Sequence, residues 1–379
     1  MINHIPVAVM EIIERLFIST ATALMINLCS HFPAKADIDA SLYWEQKMAE
    51  FQQLDNETIK IITDGTAAAP GTMRQAIFHI VNEDLKGIVP KGKNFTPFNL
   101  QRTLEALAVQ ADNAFNLVNT NMRYAVMNNY FTGINVAMAE LNRASIAAVS
   151  GQSARRASLA AVRRCLDNGI TGFRDSAGRN WTPEAYINMV TRSTLHNTQV
   201  QGRFSAMADM DEHVFQVSSH AGARPGCAPY QGKFYSTNNT SGIVHDLDGM
   251  PYPFEPLQNT SYGDPAGLFG INCGHFPIPF YDGLSRSHAE SINTEAEEKA
   301  NAEQYERFQA MRAQERDIRE LRTEESALRA SGNLDQAAEV KAKVTEKANN
   351  YKAWCEDHGM TPRMNRTTIA ERRANDLQP

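Results

Sequence analysis

Ten of the 22 glycines and eight of the 16 prolines lie between residues 211 and 285, a fifth of the chain. That density constrains the fold more than any other feature, because proline removes a backbone donor and fixes φ while glycine frees it. It predicts turns, short strands and long ordered loops rather than helices. Within it, His213-Val-Phe-Gln-Val-Ser218 reads as an alternating, half-buried strand and Lys233-Phe-Tyr-Ser236 as a shorter one. Upstream, Thr182-Pro183-Glu184 has the residues of a helix start: a Thr cap, a proline in the first turn and an acid at the positive dipole end. The helix expected from Pro183 to about Arg203 sends Tyr186, Met189, Val190 and Leu195 toward a core.

The flanking zones differ in kind. Residues 1–170 are rich in Ala, Leu, Met, Asn and Gln, and Leu100, Leu104, Leu107, Ala111, Phe115 and Val118 recur at helical spacing. Pro70, Pro90 and Pro97 stand at breaks, and a further helical stretch with Met138, Leu141, Ile146, Leu159 and Val162 is interrupted near Gly151. Residues 291–379 carry 17 acids and 15 bases. There Tyr305, Phe308, Met311, Ile318, Leu321 and Leu328 form one seam. Leu334, Ala337, Val340, Val344, Tyr351 and Trp354 form another after the break at Ser331-Gly332-Asn333. Glu303/Arg307, Glu315/Arg319 and Glu325/Arg329 have the favourable i,i+4 order, so an antiparallel helical hairpin or short coiled coil is expected. The fold class read from this is α+β: a helical, partner-facing region (1–170), a small loop-rich α+β module with short strands (171–290) and a charged helical tail (291–379).

Charge and cysteine usage narrow the function. With 37 Lys+Arg against 43 Asp+Glu, the net charge of -6 excludes a nucleic-acid binder that works by bulk charge. It leaves room for a weak, salt-sensitive contact through Arg363, Arg366, Arg372 and Arg373 near the C-terminus. Cys29, Cys165, Cys227, Cys273 and Cys355 are odd in number with no CxxC pair, which points to reduced thiols rather than a disulfide framework. The apolar run Leu16–Cys29 follows Glu11, Glu14 and Arg15 and is interrupted by Ser, Thr and Asn, so it reads as a buried or partner-facing helix rather than a signal or a membrane span.

No Walker loop, GxGxxG, HExxH, GxSxG or EF-hand loop is present. Special residues concentrate instead in Ser218-Ser-His220-Ala-Gly-Ala-Arg224-Pro-Gly-Cys227 and in Asn272-Cys273-Gly-His275. His220, Cys227, Cys273 and His275 are a zinc-compatible donor set, but 45 residues separate the two pairs and no known ligand spacing is met. A Cys–His nucleophile lacks an evident third, orienting group. The favoured reading is a buried polar network of His220, Arg224, Cys227, Asn272, Cys273 and His275, with no metal, cofactor or catalytic residue expected. Asn188, Arg192, His196, Gln199 and Arg203 share one helix face. That face is either a solvated stripe or, through Arg192 and His196, part of the same network.

Taken in order, W-T-P, T-R-x-x-x-H, S-S-H-A-G-A-R-P-x-C-A-P-Y-Q-G-K-F-Y-S and S-Y-G-D-P-A-G-L-F-G-I-N-C-G-H, followed by P-F-Y-D-G and a charged tail, resemble the phage minor capsid protein 2 family. That family is related to the Mu F-like minor head proteins, whose Arg-x-x-x-His helix and terminal Asn-Cys motif correspond here to Arg192/His196 and Asn272/Cys273. The match is specific over about 180–285. His275 departs from the Cys-x-Cys-like ending of the Mu F branch. The resemblance implies a structural, non-enzymatic head component of a tailed phage or prophage that acts in head morphogenesis or DNA packaging and ejection. It would sit near the portal inside the capsid, and in the host cytoplasm during assembly. Its expected partners are the portal, other head proteins, further copies of itself and, weakly, DNA; no membrane is expected. The alternatives are an enzyme on the central module, ADP-ribosyltransferase-like or a Cys/His hydrolase, and a DNA-binding morphogenesis factor.

Overall fold

The computed structural model describes residues 5–35, 42–81, 98–145, 151–287, 291–292 and 294–369. Pro90, Pro97, Ile146, Arg372 and Arg373 lie outside the described residues. Five helices come first: α1 (Ile5–Ser30), α2 (Tyr43–Thr66), α3 (Ala69–His79), α4 (Phe98–Ser145) and α5 (Gly151–Asn168). A two-stranded ribbon, β1 (Phe173–Arg174) and β2 (Asn180–Trp181), precedes α6 (Pro183–Asp209). Five short strands follow: β3 (Val214–Val217), β4 (Phe234–Ser236), β5 (Gly242–His245), β6 (Pro251–Pro256) and β7 (Pro277–Pro279). The described chain ends with α7 (Glu295–Ala330), α8 (Leu334–Asp357) and a single turn at Met364–Thr367. The α+β class expected from the sequence is the class observed.

Two compact units form, each from three separated segments. One takes residues 1–13, 70–114 and 188–310; the other takes 14–69, 115–187 and 311–379.

The first unit holds the sheet, ordered β5-β6-β4-β3-β7, with β4 and β6 parallel and the other neighbours antiparallel. β3 does not alternate as the sequence suggested; Phe215, Gln216 and Val217 are all buried. The reason is a core on each face of the sheet. Phe215 and Val217 pack with Val200 and Met207 of α6 and with Tyr235, Leu257, Leu268 and Phe269, while Phe234, Val244 and Phe280 form a second cluster. A strand covered on both sides reads as a continuous apolar run. Its one polar member, Gln216, donates through Nε2 to Gly232 O at 2.9 Å and Ser287 Oγ at 2.8 Å. Pro251 and Pro253 of β6 lie beyond the register of β4, which spans only Phe254–Pro256, so no ladder bond to β4 is lost there.

The second unit is mostly helical. Tyr130 of α4 is fully buried, donates its hydroxyl to Lys47 O at 2.7 Å and packs its ring 5.5 Å from Phe32. Thr182 caps α6 as expected, accepting from Ala185 N at 3.2 Å. α7 and α8 form the antiparallel hairpin, since Lys347 meets Asp317 at 3.1 Å and Tyr351 meets Glu315 at 2.9 Å. The turn uses Gly332 at φ +78, a conformation that costs a side-chain-bearing residue. Leu334, expected in the seam, is exposed.

The pairing of Glu315 with Arg319 is not formed. Glu315 is 2% exposed and receives Arg363 Nε at 2.8 Å, Arg363 Nη2 at 3.0 Å and Tyr351 OH at 2.9 Å. Arg319 is taken up by the Glu184 carboxylate and Arg366 O. Both charges are buried, and each is satisfied by partners from other segments of the chain rather than by its neighbour four residues along the helix.

Val9–Ser30 of α1 is long and apolar enough to cross a membrane, longer than the run read from sequence, and half of it is buried within the protein. Ile13, Phe17, Leu24 and Leu28 are each fully buried, as in a core helix.

Candidate functional site

Two glycine-punctuated loops of the first unit converge on the buried end of β3. The loop after β3 supplies His220, Arg224, Cys227 and Gln231; the loop before β7 supplies Cys273 and His275. Close approach requires glycine at particular points. A Cβ on Gly267 would lie 1.9 Å from Ser261 O, and one on Gly274 would lie 2.9 Å from His220 Nε2. Phe269 and Asn272 take positive φ, 58 and 59, turning the chain so that the Cys273 sulfur receives N–H groups from Phe269 at 3.3 Å and His275 at 3.4 Å.

The Sγ atoms of Cys227 and Cys273 are 3.6 Å apart, and His275 Nδ1 is 3.4 Å from Cys273 Sγ. All three residues are buried, at 1, 3 and 1% exposure. Gln231 Oε1 accepts the backbone N–H of His220 at 2.8 Å and meets His275 Nε2 at 3.0 Å. Because that oxygen only accepts, Nε2 of His275 carries the ring proton and Nδ1 presents a bare lone pair to the sulfurs. The His220 ring stacks on His275 with centroids 4.4 Å apart. Arg224 donates to Ile271 O at 2.9 Å, to Gly267 O at 3.2 Å and toward Cys227 Sγ at 3.7 Å.

The Cys227 thiol is held well below its ordinary pKa, first by its contact with Cys273 and then, against burial, by His275 and Arg224. Cys273 is correspondingly raised, by Cys227 first and burial second. Of the two sulfurs, Cys227 is the one that faces the Arg224 guanidinium, at 3.7 Å.

From α6, His196 places Nε2 2.6 Å from His275 O, so Nε2 is its protonated nitrogen. Its other nitrogen, Nδ1, is buried without a hydrogen-bond partner. Burial lowers the pKa of both His196 and His220, and Arg192 adds its charge to that lowering. The α6 face is therefore not a solvated stripe. Arg203, about two turns further on, donates to Pro277 O at 3.1 Å and lies over the Phe276 ring at 4.6 Å.

Of the eight residues named for the network, His196, His220, Arg224, Cys227, Cys273 and His275 thus meet in one place, with Arg192 on the same helix as His196. Asn272 does not: its side chain is exposed, and its part is the backbone turn. Of the proposed DNA contacts, Arg363 is committed to Glu315, and Arg366 lies 3.8 Å from Glu14 with a side chain 22% exposed. Sequence reasoning missed Gln231 and also Asn301 of α7, which clamps Ala223 through its N–H and C=O, both at 2.8 Å. Neither belongs to a metal or catalytic pattern, so no spacing pointed to them.

What this constellation defines is a knot of loops, drawn shut at the end of a small sheet in a largely helical protein. The chain belongs to the phage minor capsid protein 2 family, whose model matches residues 16–356, and is a structural component of the phage head. It is similar to a structural protein of Lactococcus phage LL-H, at 25% identity over 207 residues that cover 54% of this chain and 53% of that protein. The chain thus spans about half the length of that relative. No solved structure matches.

Proposed function

We propose that the chain works by binding its neighbours, not by catalysis, as a virion component inside the head near the portal. During assembly it occupies the host cytoplasm and joins the portal and other head proteins. The observation that carries the non-enzymatic reading is closure. Both thiols and the histidine beside them, Cys227, Cys273 and His275, are at most 3% exposed and spend their hydrogen bonds on one another, on the Gln231 side chain and on loop backbone, while the exposed His220 ring is stacked on His275. A reacting group must come within hydrogen-bond reach of a substrate, and these face none. The family supports the head location, and the long helices supply surfaces for partners.

The test is co-expression of the tagged chain with the portal protein of its own phage, without the major capsid protein. Recovery of portal with the tag is expected. Recovery only when the shell protein is present would place the chain on the shell instead. DNA affinity is expected to be weak and to vanish near physiological salt, because Arg363 and Arg366 are engaged internally.

A further inference from the structure

We propose that Cys227 Sγ, Cys273 Sγ and His275 Nδ1 bind one divalent transition-metal ion of the zinc class, which fastens the two loops together. The three donor atoms lie within 4.8 Å of one another, and all three residues are buried. A tetrahedral zinc ion with ordinary bond lengths sets about 3.8 Å between two sulfurs and about 3.5 Å between a sulfur and a ring nitrogen. The corresponding edges here are 3.6 and 3.4 Å.

The surroundings prepare each donor. Gln231 holds the His275 proton on Nε2, which aims the lone pair of Nδ1 inward; ligating histidines are commonly fixed this way. Gln231 cannot be turned end for end, since its oxygen also faces the His220 N–H. Two backbone N–H groups point at Cys273 Sγ and the Arg224 guanidinium at Cys227 Sγ, contacts that stabilise thiolate sulfur. His196 adds an independent observation. Its Nδ1 is buried and lacks any hydrogen-bond partner, while its Nε2 is 2.6 Å from His275 O. A lone pair left so in a dry site is costly, but His196 is not among the residues whose donor atoms lie within 4.8 Å of one another, so the ligands this chain offers among its described residues are the three named. His220, one of the four donors suggested by the sequence, stacks on the His275 ring instead.

The alternative occupant of the sulfur pair is a disulfide, and the experiment separates the two. The full chain, purified under reducing conditions and freed of metal with a chelator, is titrated with Co²⁺ and then with Zn²⁺. The proposal expects one equivalent of cobalt, with visible bands of tetrahedral geometry and thiolate-to-cobalt charge transfer, displaced by one equivalent of zinc. Cys273→Ser and His275→Gln should each lower cobalt affinity at least tenfold. Cys165→Ser and Cys355→Ser, which change buried thiols elsewhere, should leave it unaltered. Where a variant fails to fold, the wild-type spectrum decides alone. Absence of thiolate-to-cobalt charge transfer in the folded, reduced chain overturns the proposal. So does a Cys227–Cys273 disulfide in protein taken from the cytoplasm without reductant.

Discussion

Arg363 grips both oxygens of Glu315 while Tyr351 donates to one of them, so a single carboxylate joins α7, α8 and the segment after α8. Removing the cation strands a buried charge. Arg363→Ala is expected to cost about 3 kcal/mol, the low end for a broken buried pair because Arg363 is itself partly in water. Chemical denaturation would read this cost, and affinity for duplex DNA should stay unchanged. A second cluster responds to pH. His31 lies 3.0 Å from Glu57 and 3.6 Å from Glu50, and Lys47 lies 2.7 Å from Glu50. Burial alone would lower the His31 pKa, but the two carboxylates outweigh it and the net shift is upward from 6.5. Burial would raise Glu50 and Glu57, and their partners bring both below 4.5. The histidine contribution is complete below about pH 6.5 and fades as pH rises through the raised value. The acid contribution is complete above about pH 4.5 and fades as pH falls through the lowered values. The cluster therefore stabilises most between these limits. A thermal midpoint that falls from pH 6 to pH 8 in the wild type, and less in His31→Asn, would bear this out.

At the scale of elements, the loop that carries Cys273 depends on Gly267, where a side chain would meet the Ser261 carbonyl. Ser261 Oγ donates to Gly226 O and accepts from Leu268 N, both at 2.9 Å, so the carbonyl has little room to retreat. Gly267→Ala is expected to cost about 1–3 kcal/mol, the range for overpacking. Hydrogen exchange should show faster amides in 217–232 and 261–276 and little change in α8. Much at this scale was legible in the sequence. The Thr182 cap, the hairpin of α7 and α8 and the loop-rich module all follow from local rules about capping, periodicity and glycine with proline. What local rules cannot give is who covers whom. β3 reads as half-buried until its second core is seen, and Glu315 reads as the partner of Arg319 until Arg363 arrives from 48 residues away. Gathering His220, Cys227, Cys273 and His275 in one region was legible because special residues crowd the loops. The choice of His275 over His220 as the donor to the sulfurs was not, since ring orientation depends on Gln231.

For the whole molecule, each compact unit is made of three segments drawn from distant parts of the sequence. Contacts of such long range close late and slow folding. Ending the chain after Ala330 removes α8, and with it the Tyr351 hydroxyl and the Arg363 guanidinium that hold Glu315. The expected result is a chain in which protease cuts α2 and the second half of α4 readily while the sheet stays protected. Equal resistance in truncated and complete protein would contradict this. A ribosome releasing this polypeptide delivers α1 and α2 long before α8, which completes their unit, has been made. Until then the apolar faces of Phe17, Leu24 and Leu28 have no finished core to enter. Completion of that unit is thus tied to the synthesis of α8, and a nonsense mutation ahead of α8 should yield an aggregating product rather than a shortened but working one.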